Sequence, residues 1–215
     1  MEREYKFEVA DMVQAHYLGM AKSWQAWTHD GPGAKFRCHS VYYDTPTEDL
    51  AGLGAVVRMR REGERQVMVV KYKTPQKQRV EEGLFFREEW SYEVDSFDDD
   101  LPMSAFLDRH GEAIRQCDQS LYNILKCPLQ AMYQIDFARQ TRLLNVDGSQ
   151  IEVALDHGVY VFGHRQRPFV ELEIELLSGS DVALTKLKDW LCEHFALTPA
   201  TYSKHDQVRR LAQCL

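Results

Sequence analysis

The sequence predicts an α+β fold in which about eight strands close into an antiparallel β-barrel with helices packed outside it. Three observations predict it. Apolar and polar residues alternate with a period of two along most of the chain, the mark of half-buried strands. Helical spacing is confined to stretches near the start, around residues 98–127 and at the end. The polar strand positions carry full charges of both signs, where an ordinary solvated face mixes charges with neutral polar groups.

Element by element, Glu2, Glu4, Lys6 and Glu8 alternate with Tyr5, Phe7 and Val9 as a first strand over 2–9. A helix is expected from Asp11, an N-cap residue, to Trp27, stopping before the turn residues of 29–33. Strands follow at 36–43, 54–61, 66–73 and 84–94, two of them joined as a hairpin at Glu62-Gly63-Glu64. The acidic run Asp98, Asp99, Asp100 and then Pro102 lead into helical spacing of Phe106, Leu107, Ile114, Leu121, Ile124 and Leu125. Strands return at 131–144, 150–156, 159–164 and 169–177, separated by Val146-Asp147-Gly148 and His157-Gly158. Helical patterns at 181–195 and 203–214 close the chain. There is no internal repeat, low-complexity tract or linker, so residues 1–215 read as one domain.

Bulk properties exclude several classes. Hydrophobic residues at 44% and charged residues at 27% are ordinary for a globular protein. A formal net charge of -7 argues against nucleic acid or an acidic membrane as a partner of the general surface, although a cationic pocket remains compatible with it. The five cysteines, Cys38, Cys117, Cys127, Cys192 and Cys214, are scattered without a Cys-x-x-Cys pair, which suits reduced thiols in the cytoplasm. No apolar signal region or membrane-length apolar run occurs.

The charge pattern carries the functional information. Arg58 and Arg60 share a face opposite Val57 and Met59; Lys71 stands opposite Val70 and Tyr72; Arg87 and Glu89 flank Glu88. Glu152 and Asp156 alternate with Ile151, Val153 and Leu155, and Glu171, Glu173 and Glu175 alternate with Leu172, Ile174 and Leu176. If the apolar faces point outward under the helices, the charges point inward. Unpaired buried charge is costly, so such an interior needs near balance and water or a charged ligand. Carboxylate clusters suit hard divalent cations, and arginines and lysines suit phosphate oxygens. The interior therefore reads as a metal–polyphosphate site.

These residues resemble the CYTH superfamily, also called triphosphate tunnel metalloenzymes. The resemblance rests first on Glu2-Arg3-Glu4-Tyr5-Lys6, matching that family's Glu-x-Glu-x-Lys. It continues through Tyr42-Tyr43-Asp44-Thr45-Pro46, Arg58-Met59-Arg60, Lys71, Gly83-Leu84 with Arg87 and Glu89, and Asp136-Phe137 with Arg139. Glu152, Ala154-Leu155-Asp156, the run Glu171 to Gly179, and Ser203-Lys204 complete it. It is least clear over 98–130, and the last motif departs from Ser-Lys-Ala-x-Arg by reading Ser203-Lys204-His205-Asp206-Gln207. The central and C-terminal motifs are most similar to bacterial inorganic triphosphatases.

The resemblance implies an eight-stranded barrel forming an open-ended tunnel, and metal-dependent hydrolysis of inorganic tripolyphosphate to pyrophosphate and phosphate. It implies that Lys6, Arg58, Arg60, Arg87, Arg139 and Lys204, with Glu89, bind the small-molecule triphosphate. It implies that Glu2, Glu4, Asp156, Glu171 and Glu173 bind Mg2+ or Mn2+, and that Lys71 and Tyr42 pair to activate water; the cations expected around Lys71 point to a lowered pKa. Glu175, Glu88, Glu8 and Lys73 are left as surface or rim charges, and Glu152 as a partner of a ligand. The eight histidines are read as surface or satisfied polar groups, and Trp24, Trp27 and Trp190 as packing anchors. Thiamine triphosphatase, an adenylate cyclase of the same superfamily and a non-catalytic polyphosphate-binding module stay open as alternatives; the cyclase branch often carries a His-Phe extension, whereas only Met1 precedes Glu2 here. Nothing in the sequence fixes an oligomeric state.

Overall fold

The structure is a computed structural model that describes residues 2–24, 26–29, 33–74, 84–95 and 101–214. Asp98, Asp99 and Asp100, the Asp30-Gly31-Pro32 centre of the first loop, and Gly83 lie outside the described residues.

The strands are β1 (Glu2–Glu8), β2 (Thr28–His29), β3 (Lys35–Asp44), β4 (Ala55–Glu62), β5 (Arg65–Tyr72), β6 (Leu84–Glu93), β7 (Gln130–Val146), β8 (Ser149–Phe162), β9 (Arg165–Ser178) and β10 (Thr198–Pro199). The eight long ones close in the order β1-β6-β5-β4-β3-β7-β8-β9, with β9 pairing back onto β1 from Glu4↔Glu175 to Glu8↔Glu171. The barrel pairings are all antiparallel. Closure leaves the long strands without a free edge between them, as the charge pattern anticipates.

The helices are α1 (Met12–Gly19), α2 (Asp49–Leu53), α3 (Met103–Cys117), α4 (Gln119–Leu125), α5 (Asp181–Phe195) and α6 (Lys204–Gln213), with a 3-10 turn at Ala21–Trp24. Two apolar cores lie between barrel and helices. Tyr5, Phe7, Val153, Leu172 and Ile174 meet Leu18 of α1 and Leu184, Leu187 and Leu191 of α5. On another side, Val57, Met59, Met68 and Val70 meet Phe106, Ile114, Leu121 and Leu125 of α3 and α4. Each such side chain contributes roughly 1.5–3 kcal/mol on full burial, and strict alternation sends its charged neighbours inward. Trp24 and Trp27 pack on Trp190 at 6.1 and 5.6 Å between ring centroids, the anchoring expected of them. Among the described residues no helix is long and apolar enough to cross a membrane.

Three expected elements take another form, and α2, β2 and β10 are short elements the sequence reading did not place. The strands expected at 150–156 and 159–164 are one, because Gly158 marks a close approach and not a turn: a Cβ there would stand 2.0 Å from the Asp136 carbonyl oxygen. The helix expected over 11–27 stops at Gly19, whose carbonyl accepts hydrogen bonds from Gln140 and Arg142 of β7. The helical stretch at 98–127 breaks into two at Asp118, whose carboxylate caps α4 at the amides of Ser120 and Leu121.

Candidate functional site

The inward faces of the strands enclose a charged cavity of about 300 Å³. Register explains who meets whom. Glu2 and Arg87 are paired across β1 and β6, Lys6 and Glu173 across β1 and β9, Arg58 and Tyr42 across β4 and β3, Lys71 and Glu89 across β5 and β6, and Arg139 and Asp156 across β7 and β8. Lys204 enters from α6, whose capping box at Ser203 and Asp206 starts the helix at the barrel interior. The apolar side of α6, at Val208 and Leu211, packs on the inward aromatics Tyr133, Phe137 and Tyr160.

Twelve of the fourteen residues expected at the site line this cavity: Glu2, Glu4, Lys6, Tyr42, Arg58, Arg60, Lys71, Arg87, Glu89, Arg139, Glu173 and Lys204. Asp156 and Glu171 lie just behind it, 0% and 2% exposed. Arg139 grips Asp156 with two hydrogen bonds of 2.8 and 2.6 Å and reaches Glu173 at 2.5 Å. Lys204 contacts Asp156 at 2.9 Å, Glu173 at 2.7 Å, and Glu171. Lys6 bonds Glu4 at 2.7 Å and also Glu173. Carboxylate oxygens of Asp156, Glu171 and Glu173 all lie within 4.8 Å of one another.

This crowding separates the acids. Burial would raise Glu173, yet Lys204, Lys6 and Arg139 together hold it well below the usual carboxylate range. For Glu171 burial prevails over the same lysines and pushes it up to about 7. Burial also raises Tyr42, but Arg58 and Arg60 more than offset it, leaving the phenol below its ordinary value.

One expectation is overturned. Lys71 has no lowered pKa: burial alone would depress it, but Glu2, Glu89 and Glu4 surround the ammonium and hold it above its ordinary value. It bonds Glu2 and, at 2.9 Å, Glu89, so its neighbours are chiefly carboxylates and not cations. Nor do Lys71 and Tyr42 form a contact pair; β4 runs between their strands, with Arg58 beside Tyr42 and Val56 beside Lys71.

The cavity also includes residues that sequence reasoning set aside. Glu175 lines it, and burial, with Glu2 and Glu4 nearby, pushes its pKa up to about 8. Glu62 and Glu152 line it too. Parity was a sufficient signal for all three, since each continues the inward series of Arg58 and Arg60, Asp156, or Glu171 and Glu173. His205 lines it as well, against the reading of every histidine as a surface or satisfied group, and on a helix no two-residue period could have flagged it.

The donor set fits a divalent cation. Glu2 Oε2, Glu4 Oε1 and Glu171 Oε2 are buried without a hydrogen-bond partner, and an all-carboxylate cluster is the chemistry hard cations take. Positive charge also faces the cavity: among the described residues no carboxylate comes within ion-pair distance of Arg58 or Arg87, Arg58 is engaged by Tyr42 with Glu89 and Glu62 farther off, and its Nε is buried without a partner. A polyanion carrying a cation would complete both halves.

Comparisons with known proteins give the family and the fold. The inorganic triphosphatase of Haemophilus influenzae is 30% identical over 144 residues, 66% of this chain and 36% of that protein, so the chain spans little more than a third of that relative's length. Two solved structures share the fold, and at their low identity only the fold. HpAC1 from Hippeastrum, put forward as an adenylyl cyclase and shown with a dominant triphosphatase activity, superposes with a TM-score of 0.65 at 17% identity, covering 98% of this chain and 96% of that one. A Bacillus halodurans protein put forward as an adenylate cyclase gives 0.58 at 14%, covering 96% and 98%. The model of the CYTH domain matches residues 1–211, essentially the whole barrel with its helices, and this chain belongs to the CYTH family.

Proposed function

We propose that this chain is a metal-dependent triphosphatase that hydrolyses inorganic tripolyphosphate to pyrophosphate and phosphate inside the barrel. The observation that supports it best is the double deficit of the cavity. Arg58 and Arg87 have no carboxylate within ion-pair distance among the described residues, while Glu2, Glu4 and Glu171 each keep a buried oxygen without a hydrogen-bond partner. The curated relative's name points the same way. The one domain over 1–215 carries the activity, and the unpaired cysteines suit the cytoplasm.

Lys6, Arg58, Arg60, Arg87, Arg139 and Lys204 hold the phosphates, the arginines through their forked donors. Glu2, Glu4, Asp156, Glu171 and Glu173 hold Mg2+ or Mn2+. When bound, the ion supplies positive charge to phosphate oxygens and a more acidic water. Lys6, Lys204 and Arg139 are engaged by these carboxylates. Substrate entry exchanges partners, so that the cations turn to phosphate and the desolvated charges stay balanced. Tyr42, as the phenolate that Arg58 and Arg60 favour, orients the attacking water and takes up its proton to become the phenol. Lys71, kept charged with the support of Glu89, stabilises the negative charge that shifts onto phosphate oxygens as the phosphoanhydride bond breaks.

Incubation with Mg2+ or Mn2+ and, separately, tripolyphosphate, ATP and thiamine triphosphate tests this reading. Phosphate released from tripolyphosphate far faster than from ATP or thiamine triphosphate, and abolished by a chelator, is the expected result. Cyclic AMP from ATP would replace the triphosphatase with a cyclase, and no product from any of the three would leave a binding module.

A further inference from the structure

His205 lines the cavity with a single near carboxylate, that of Asp206. It is the second residue of α6, 8% exposed, and lines the cavity beside Tyr42, Arg58 and Lys204. Its ring lies against Tyr42, with centroids 5.3 Å apart and planes inclined by 30°, and it meets Tyr133 at 6.2 Å. The capping box holds the backbone on either side: Ser203 Oγ accepts from the Asp206 amide, while Asp206 Oδ2 accepts from the Ser203 amide and hydroxyl. The ring is therefore pinned by two aromatics and a rigid helix start. One of its polar atoms is not satisfied. Nδ1 is buried with no hydrogen-bond partner, and the nearest carboxylate oxygen, Asp206 Oδ1, is 3.7 Å away, beyond hydrogen-bond reach.

A phenylalanine would fill this stacking position at no polar cost, whereas a buried imidazole with an unpaired nitrogen is unfavourable unless something else uses it. With Nδ1 buried toward Asp206, Nε2 is the ring's remaining polar atom for the cavity. Resting-state hydrogen bonds in active sites are commonly long and tighten when the ligand arrives.

We propose that His205 is a substrate-contacting residue. Its Nε2–H donates to a phosphate oxygen at the α6 end of the cavity. The inference rests on the triphosphate reading of the site and adds a donor to it.

Two variants separate ring from donor. His205→Phe keeps the stack on Tyr42 and removes the donor; His205→Gln keeps an N–H donor and removes the stack. With unfolding temperature unchanged, His205→Phe should lose about tenfold to a hundredfold in kcat/KM for tripolyphosphate, the loss of one hydrogen bond to a charged group. His205→Gln should recover a measurable part of it. Imidazole nitrogen NMR on the wild-type protein with a chelator supplies a readout independent of turnover, the His205 signals being those absent from His205→Phe. Addition of tripolyphosphate should shift Nε2 into the range of a hydrogen-bonded N–H. An unmoved His205 signal at saturating tripolyphosphate overturns the contact, as does wild-type hydrolysis by His205→Phe. A His205 signal that responds in a protein that never hydrolyses tripolyphosphate keeps the contact and removes the triphosphatase.

Discussion

Lys71 shows how far a residue's chemistry depends on its ring of neighbours. A lysine among phosphate-binding cations is expected to lose proton affinity, but β1 and β6 bring Glu2 and Glu89 against it and the sign reverses. The proposed role is therefore that of a fixed charge and not of a base near neutral pH. Lys71→Met should lower kcat/KM for tripolyphosphate by about a hundredfold, with the larger part in kcat. Lys71→Arg should retain more activity and leave the acid and alkaline limbs of the pH–rate profile in place. A Lys71→Met protein with normal kcat and raised KM would remove Lys71 from the chemical step. Arg139 carries a structural load as well, since Asp156 is 0% exposed and takes both arms of its guanidinium. Arg139→Met leaves Asp156 with Lys204 alone among its two cationic partners and should cost about 3 kcal/mol in urea unfolding.

At the scale of elements, α6 delivers Lys204 and His205, and its far side is tied down by Glu48. That residue adopts a left-handed conformation, φ 57°, at the start of α2, which a non-glycine residue holds only with support. Its carboxylate accepts from Arg209 at 2.6 Å, Tyr133 at 3.1 Å and Gln213 at 3.2 Å. These bonds, Arg209 first, hold Glu48 below the usual carboxylate range. A depressed carboxylate contributes stability above the pKa of the unfolded chain and loses it as pH falls through the lower folded value. Docking of α6 should thus be firm at neutral pH and loosen below about pH 4. Arg209→Ala should reproduce the loosening at pH 7, as faster amide exchange over residues 204–213 and a several-fold loss of activity with only a small drop in unfolding temperature. Unchanged exchange in that variant would show that the apolar contacts of Val208 and Leu211 suffice. The strand elements were nearly all legible from their two-residue period. His157-Gly158 misled because a glycine that admits a neighbouring backbone and a glycine that turns the chain look alike in sequence.

At the scale of the whole molecule, the barrel is inverted: its apolar surface lies beneath the helices and its charges lie inside. Such an interior is balanced but not optimally paired, so a ligand that binds only the folded state should stabilise it markedly. Tripolyphosphate at a hundred times its Kd, with a chelator present, should add about 2.7 kcal/mol and raise the unfolding temperature by roughly 5–11 °C for a chain of this size. No shift at any concentration would mean that the cavity does not take the polyanion. Sequence alone determined the strands, their inward and outward faces and most of the charged lining, because alternation is a local property written in neighbouring residues. Tertiary structure alone decided which charges meet. Glu2 lies 69 positions from the lysine it bonds, and Glu4 lies across from Glu175 only because β1 closes the ring onto β9. The proton affinity of Lys71, the splitting of Glu171 from Glu173 and the placing of His205 against Tyr42 all follow from that closure. Electrostatic and packing energies depend on distance and burial in space, which no one-dimensional pattern records.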